Sequence, residues 1–256
     1  MHIKFLGAHN CESQAARLIS LLIDDCLVLD AGGLTSSLSF EAQLKLKAIV
    51  LSHHHYDHIK DIPLLAMNLY LNGASIDIYG TLPVRDALLE NLLNNDLYPN
   101  FLEKPKAEPV LRFNIIEPFQ TVQIEGYRVL AVPIAHAVSS IGCQITSADG
   151  KTVFYTGDTG PDLADCWGYV SPQLLIIDVT ASNRFEEFGK ESGHLTPGLL
   201  QRELLSFQKI RGYLPKVVVV HMNPNLEGEI EAELFVVAKE LNNSITLAYE
   251  GMQLNL

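Results

Sequence analysis

Ala48-Ile49-Val50-Leu51-Ser52-His53-His54-His55-Tyr56-Asp57-His58 is the stretch on which the reading of this chain turns. Four apolar residues in a row have the length and composition of a buried strand. Four potential metal ligands, His53, His55, Asp57 and His58, then fall within six residues. Residues two apart on extended chain project to the same side, so His53 and His55 can bind one ion together. Asp57 and His58 follow on a turn and can face a second. The cluster sits in a loop at a strand's carboxyl end, where function commonly collects. A tag remnant would sit at a terminus; a histidine-rich surface loop is the plainer alternative. Imidazole and carboxylate suit zinc, iron or manganese, so the ligand types alone do not choose the metal.

Outward from this cluster, three more candidates follow apolar strand-like runs. His136 comes after Tyr127 to Ile134, Asp158 after Thr152 to Thr156, and His221 after Val217 to Val220. Any one of them alone reads as a hydrogen-bonded rim residue. Their shared position at strand ends, together with the cluster, points to convergence on one rim.

The rest of the chain alternates strands and helices. Strands are expected at Ile3 to Leu6, Ala16 to Ile23 and Cys26 to Leu29, with Asp24-Asp25 as a hairpin turn. Helical patterns run from Asp61 to Leu71 and from Leu82 to Asn94, around a strand at Ile76 to Tyr79. Residues 95 to 108 read as a loop. Strands resume at Val110 to Ile116, Phe119 to Ile124, Ile141 to Thr146 and Leu174 to Val179. Ala148-Asp149-Gly150-Lys151 is a hairpin turn. Pro197 to Gln208 and Ile230 to Leu241 read as helices. Two blocks of strands, each followed by helices, suggest two sheets packed together with helices outside. No internal repeat is obvious.

At 256 residues, with 48% hydrophobic and 19% charged, the chain can bury a sizeable core, and a single domain over 1–256 is the simplest expectation. Lys plus Arg is 18 against 30 Asp plus Glu, a formal charge of −12. That balance disfavours nucleic acid or an anionic membrane as a partner, but not a small anionic substrate, since bound cations supply local positive charge. Cys11, Cys26, Cys143 and Cys166 are widely spaced and form no zinc knuckle. With no basic leader and no long apolar stretch in sight, a cytoplasmic setting is the default.

The order His-x-His-x-Asp-His, then His136, Thr156-Gly157-Asp158 and His221 resembles the metallo-β-lactamase superfamily over nearly the whole chain. The resemblance implies an α/β fold, an αββα sandwich of two mostly antiparallel sheets with helices on the outer faces. It implies that His53, His55 and His136 hold one divalent ion, that Asp57, His58 and His221 hold a second, and that Asp158 bridges them. Zinc is the first expectation, with manganese and iron as alternatives. Asp30 resembles the family carboxylate that orients a ligating imidazole; a turn Asp capping its strand is the other reading. His54 and Tyr56 fall at variable positions, and His2 and His9 match none.

Two cations ~3.5–4 Å apart share a water, lower its pKa towards neutrality and polarise a phosphoryl or carbonyl oxygen. The bridging hydroxide is then the expected nucleophile. A leaving-group proton must come from elsewhere. His194, in Ser192-Gly193-His194-Leu195-Thr196-Pro197, is the candidate, with Thr196 capping a helix that starts at Pro197. Asp57 and His194 are thus the expected catalytic residues. Thr-Gly-Asp-Thr-Gly-Pro at 156–161, Gly-His-Leu-Thr-Pro at 193–197 and His-Met-Asn-Pro at 221–224 look like the branch holding class II cyclic-nucleotide phosphodiesterases and ribonuclease Z-type enzymes. The Asp-His-x-Gly-Gly of the related thiolester hydrolases is absent, since Ile59-Lys60-Asp61 follows His58. No basic insertion resembles the RNA-gripping arm of ribonuclease Z. The expected activity is hydrolysis of a 3′,5′-cyclic nucleotide. A ribonuclease Z-like enzyme, a thiolester or lactone hydrolase and a non-catalytic metal sensor remain alternatives. Homodimers are common in the superfamily, and the resemblance extends that expectation here.

Overall fold

The computed structural model describes residues 1–256. Strands β1 (His2–Gly7), β2 (Ser20–Ile23), β3 (Leu27–Leu29), β4 (Ala48–Val50), β5 (Ile76–Gly80) and β6 (Leu111–Ile115) lie side by side in chain order. Strands β7 (Thr121–Ile124), β8 (Tyr127–Ile134), β9 (Ser140–Thr146), β10 (Thr152–Tyr155), β11 (Leu174–Asp178), β12 (Lys216–Val220) and β13 (Ile245–Leu247) form a second sheet, also in order. The last strand, β14 (Gln253–Asn255), returns to pair with β1, so each sheet has seven strands.

Connections decide the pairing. Turns or loops join the antiparallel neighbours. Parallel neighbours need a crossover. In the first sheet α1 (Leu34–Ser37) and α2 (Phe40–Gln43) link β3 to β4, then α3 (Tyr56–Ile59) and α4 (Ile62–Leu71) link β4 to β5. Next, α5 (Leu82–Ala87), continued by a π turn at Leu88–Leu92, links β5 to β6. In the second sheet α6 (Ala164–Trp167) precedes β11, α7 (Glu186–Ser192) and α8 (Pro197–Arg211) precede β12, and α9 (Glu227–Leu241) precedes β13. Each sheet therefore has three antiparallel and three parallel pairs, mixed rather than mostly antiparallel.

The continuous apolar runs feed two cores at once. Leu174 and Ile176 of β11, and Val218 and Val220 of β12, point between the sheets with Phe5, Leu29 and Val50. Their neighbours Leu175, Ile177, Val217 and Val219 point outward onto α6, α8 and α9, against Trp167, Phe207 and Leu234. On the other side Val28 and Ile49 meet Ile62, Leu65 and Leu69 of α4. This is the layered sandwich expected from the sequence. No helix is long and apolar enough to cross a membrane.

Several boundaries differ for physical reasons. The expected strand from Ala16 starts at Ser20, because β1 bulges between Phe5 and Gly7 and leaves Leu18 in an isolated bridge to His9. The helix expected to reach Asn94 widens at Leu88, where Leu93 N donates to Leu88 O, which keeps Leu92 and Leu93 buried together. Thr196 caps α8 as its sequence indicates, accepting from Leu199 N, and the helix runs on to a left-handed Gly212. Asp24 and Asp25 both adopt positive φ, the signature of a tight hairpin turn. The loop at 95–108 contains no helix or strand.

Candidate metal centre

β4 delivers the cluster to the rim. Past it, Ser52 to His55 lie outside any strand or helix, His55 is extended, and α3 begins at Tyr56, so Asp57 and His58 ride on a helical turn. His136 follows β8, Asp158 follows β10 and His221 follows β12. The fold brings all seven together. His53, His55, His136 and Asp158 offer ligand atoms within 4.8 Å of one another, and so do Asp57, His58, Asp158 and His221. The two oxygens of Asp158 divide between these groups. Oδ2 lies 3.7 Å from both His53 Nε2 and His136 Nε2. Oδ1 lies 3.0 Å from His58 Nε2 and 3.4 Å from His221 Nε2.

The opposite ring nitrogens are anchored, which sets the tautomers. Ser52 Oγ donates to Asp30 Oδ2 at 2.7 Å, so at 3.0 Å it accepts from His53 Nδ1–H. His58 Nδ1–H donates to Asp30 Oδ2 at 2.8 Å. His136 Nδ1–H donates to the Gly193 carbonyl at 2.9 Å. Thr180 Oγ1 donates to Asp178 Oδ1 at 2.7 Å and accepts from His221 Nδ1–H at 2.8 Å. Four imidazoles thus aim an Nε2 lone pair inward. His53 Nε2, His58 Nε2 and Asp158 Oδ1 are buried without a hydrogen-bond partner. Buried polar atoms are costly unless satisfied, and inward lone pairs with carboxylate between them are what divalent cations bind. The residues present therefore fit two ions.

Burial disfavours the charged form of these rings. It drives His53 well below the ordinary imidazole range, with His58 adding repulsion, and lowers His55 and His136. For His58 burial is overridden by the carboxylates of Asp158 and Asp30, which hold it well above that range. His221 is likewise buried, yet Asp158, Asp178 and Asp57 hold it up at about 10. Asp158 is pushed well below the usual carboxylate range, burial being outweighed by His221 and His58. Protons and divalent cations compete for such a set.

Asp30 does what its orienting reading requires. It is fully buried at φ +56, takes Ser52 N at 2.8 Å as well as the donors above, and accepts from Tyr155 OH at 2.6 Å. His221 also has positive φ, +64, a strained conformation for a non-glycine residue. Gly193 at φ +76 cannot be replaced cheaply, since a Cβ there would sit 3.0 Å from His136 Nδ1.

His194 lies beside the two groups. Its ring stacks on His221 at 5.3 Å and 16°, and sits 5.1 Å from His136. His194 Nδ1–H donates to Asp178 Oδ2 at 2.7 Å. Burial opposes its charge, but Asp178 raises its pKa above the ordinary value. Asp178, Thr180 and Ser52 were missed from sequence. The available signal was an acid inside the otherwise apolar run Leu174 to Val179. Tyr56 is 62% exposed, and His54 joins neither group. His9 is buried and bound to Glu250, and it joins neither group.

The chain belongs to the beta-lactamase superfamily: the family model described as the beta-lactamase superfamily domain matches residues 25–222. Members imply divalent metal ions, as the His/Asp groups do. A 3′,5′-cyclic-nucleotide phosphodiesterase of Aliivibrio fischeri is 24% identical over 66% of this chain and 55% of its own, so this chain spans about half of that relative. A ribonuclease Z of Methanosarcina acetivorans is 22% identical over 91% of this chain and 89% of its own. Among solved structures, unliganded yeast PDE1 has TM-score 0.85 at 16% identity, covering 100% of this chain and 99% of that one. The metallo-beta-lactamase fold protein YhfI of Bacillus subtilis has TM-score 0.77 at 19% identity, covering 99% of each. These structural likenesses establish the fold.

Proposed function

We propose that the protein is a metal-dependent phosphodiesterase that opens a 3′,5′-cyclic nucleotide to a 5′-nucleotide. The observation that carries this reading is the pair of inward-facing ligand groups sharing Asp158, with the Asp178–His194 dyad at their edge. Family membership supports the hydrolase class. The cyclic-nucleotide phosphodiesterase among its relatives, and the acidic balance of the chain, support a small phosphodiester over structured RNA. His53, His55 and His136 are assigned to one ion, Asp57, His58 and His221 to the other, and Asp158 to both. Zinc is the first assignment. We read residues 1–256 as one domain, because both sheets contribute ligands to one centre.

When bound, two such ions supply a water ionised near neutral pH and polarise the phosphoryl oxygens. The chain's own residues do the rest. Ser52, Asp30, Gly193 O and Thr180 hold the imidazoles in one orientation before substrate arrives. Asp178 keeps the proton on His194 Nδ1 and favours a doubly protonated ring. His194 Nε2–H then donates to the leaving 3′-oxygen, a general-acid role.

The test is turnover of cyclic AMP, cyclic GMP, bis-p-nitrophenyl phosphate and precursor transfer RNA by one metal-loaded preparation, with metal analysis. Turnover of the RNA alone would overturn the proposal in favour of a ribonuclease Z-like activity, the second reading suggested by the relative of nearly equal length. His194→Ala is expected to lose ~10²–10⁴-fold on cyclic nucleotides, and far less on bis-p-nitrophenyl phosphate, whose leaving group needs no proton.

A further inference from the structure

β7 pairs with β8 only through Leu130, leaving the far end of β8 as an open edge. Phe119 N ties that edge at Ala131 O, 2.8 Å, and Gly160 N ties it at Ala135 O, 2.7 Å. The backbone position between them belongs to Pro133, which has no N–H to offer, so no strand extends the sheet there. The gap is flanked by Phe119 and Tyr169, 51% and 54% exposed, with ring centroids 4.5 Å apart. Together with Pro133, Asp162 and Asp165 they line a cavity of about 330 Å³.

That cavity adjoins a second one that reaches His136. The second, of about 270 Å³, is lined by His136 and Gly193, and the two share Ala135 and Asp162. Pro133 stands three residues before His136, a span of at most ~10 Å, comparable to the reach from a nucleotide's phosphorus to its base. Asp162 stands on the ridge between the cavities at φ +74, its backbone N held at 2.8 Å by Glu203. No donor of the chain engages the carboxylate of Asp162 or Asp165, and both residues are exposed.

Resting on the phosphodiesterase reading above, we propose that this cavity is the base subsite and that it selects guanine over adenine. Aromatic faces stack on either base. A carboxylate only accepts hydrogen bonds. Guanine presents N1–H and its exocyclic amine side by side, matching two carboxylate oxygens. Adenine presents one amine beside an acceptor nitrogen, which meets the carboxylate unfavourably. Asp162 is the reader, because it is the one carboxylate that borders both cavities.

The experiment compares kcat/KM for cyclic GMP, cyclic AMP and bis-p-nitrophenyl phosphate in the metal-loaded wild type, Asp162→Asn and Tyr169→Ala. The wild type is expected to favour cyclic GMP by roughly tenfold or more. Asp162→Asn abolishes that preference by lowering the cyclic GMP value alone, and Tyr169→Ala raises KM for both cyclic nucleotides while leaving bis-p-nitrophenyl phosphate unchanged. Equal wild-type rates on both cyclic nucleotides, or an Asp162→Asn loss shared by bis-p-nitrophenyl phosphate, overturns the subsite. Asn tolerates positive φ, so Asp162→Asn remains decisive if Tyr169→Ala fails to fold. Calorimetric binding of 5′-GMP against 5′-AMP separates the two proposals. If no phosphodiester turns over, the catalytic reading fails, while tighter GMP binding that Asp162→Asn removes still supports the subsite and equal binding overturns it.

Discussion

The two sheets are built alike but furnish the centre differently. Each begins with antiparallel strands and switches to parallel ones, at β3 in the first and at β10 in the second. An acid follows each switch: Asp30 directly after β3, and Asp158 after Thr156-Gly157 past β10. Crevices outside strand carboxyl ends at such switch points are where open α/β sheets place ligands. In the first half, however, Asp30 stands behind the cluster and grips His58 Nδ1, whereas Asp158 stands in front and faces both ligand groups. The first sheet concentrates its inward-facing side chains in one loop after β4. The second spreads its own over the ends of β8, β10 and β12. Equivalent places in a fold therefore do not imply equivalent jobs; what faces the rim decides.

The largest expected effect lies in exchanging these two acids' fates. Asp158→Ala removes the one carboxylate common to both groups, and both ions are expected to leave, with a loss exceeding the ~10²–10³-fold typical of deleting one electrostatic group. Asp30→Asn keeps all ligands and is expected to cost ~10–100-fold in metal affinity or rate. Metal content per chain, measured with kcat on a phosphodiester, checks both. If Asp158→Ala retained two ions, the asymmetry between the acids would be gone.

A smaller pair of substitutions sharpens the division by group. Ser52→Ala frees His53 Nδ1, and Thr180→Val frees His221 Nδ1. Each is expected to weaken chiefly the ion of its own group, by ~10–100-fold. Titration with a chelator would resolve two affinities, and each variant should move a different one. Movement of both by either variant would mean the centre binds its ions as a unit.

The same contrast explains what was legible beforehand. His53 to His58 announces itself because its ligands are adjacent in sequence, and β4 before it is an unbroken apolar run. His136, Asp158 and His221 were readable only through their shared place after apolar strands. Asp178 and Thr180 were not, because their roles arise where β11 meets β10 and β12, a tertiary juxtaposition with no local pattern. Edge strands β13 and β14 are three residues each and partly exposed, so neither carried a buried-strand signature. The even mixture of parallel and antiparallel pairs followed from short helices, such as α1, α2 and α6, of four residues each, too short to show a helical period.

Glu203 offers a further way to separate the halves. This carboxylate is buried on α8 and accepts from Asp162 N at 2.8 Å, Leu163 N at 3.2 Å and Trp167 Nε1 at 3.1 Å. It pins the segment just past Asp158 from a helix outside the second sheet, whereas the first half's ligand loop is gripped by Asp30 at the end of its own strand β3. Glu203→Gln turns one acceptor into a donor against these N–H groups. The expected cost is about 1–3 kcal/mol of stability, read by denaturant unfolding, with a smaller effect on metal content than Asp30→Asn.

The smallest effect concerns the N-terminal loop beside the first sheet's end of the site. His9 Nδ1–H donates to Glu250 Oε1 at 2.6 Å, and the same oxygen takes Arg17 N at 2.8 Å. Burial opposes the charge on His9, yet Glu250 and Glu227 raise its pKa above the ordinary value. Burial likewise opposes ionised Glu250, yet His9 and Arg17 N lower its pKa. The signs fix a window. The His9 contribution is complete below the unfolded imidazole value of ~6.5 and fades as pH rises through the higher folded one; the Glu250 contribution is complete above the unfolded ~4.3 and fades as pH falls through the lower folded one. The tie is therefore strongest between about pH 5 and 6.5. Glu250→Gln should lower stability there by about 1 kcal/mol, or roughly 2–4 °C in Tm for a chain of this size. The difference from wild type should shrink toward pH 9, as His9 loses its proton. A difference that stayed constant across that range would make the contact a neutral hydrogen bond, with no charge behind it.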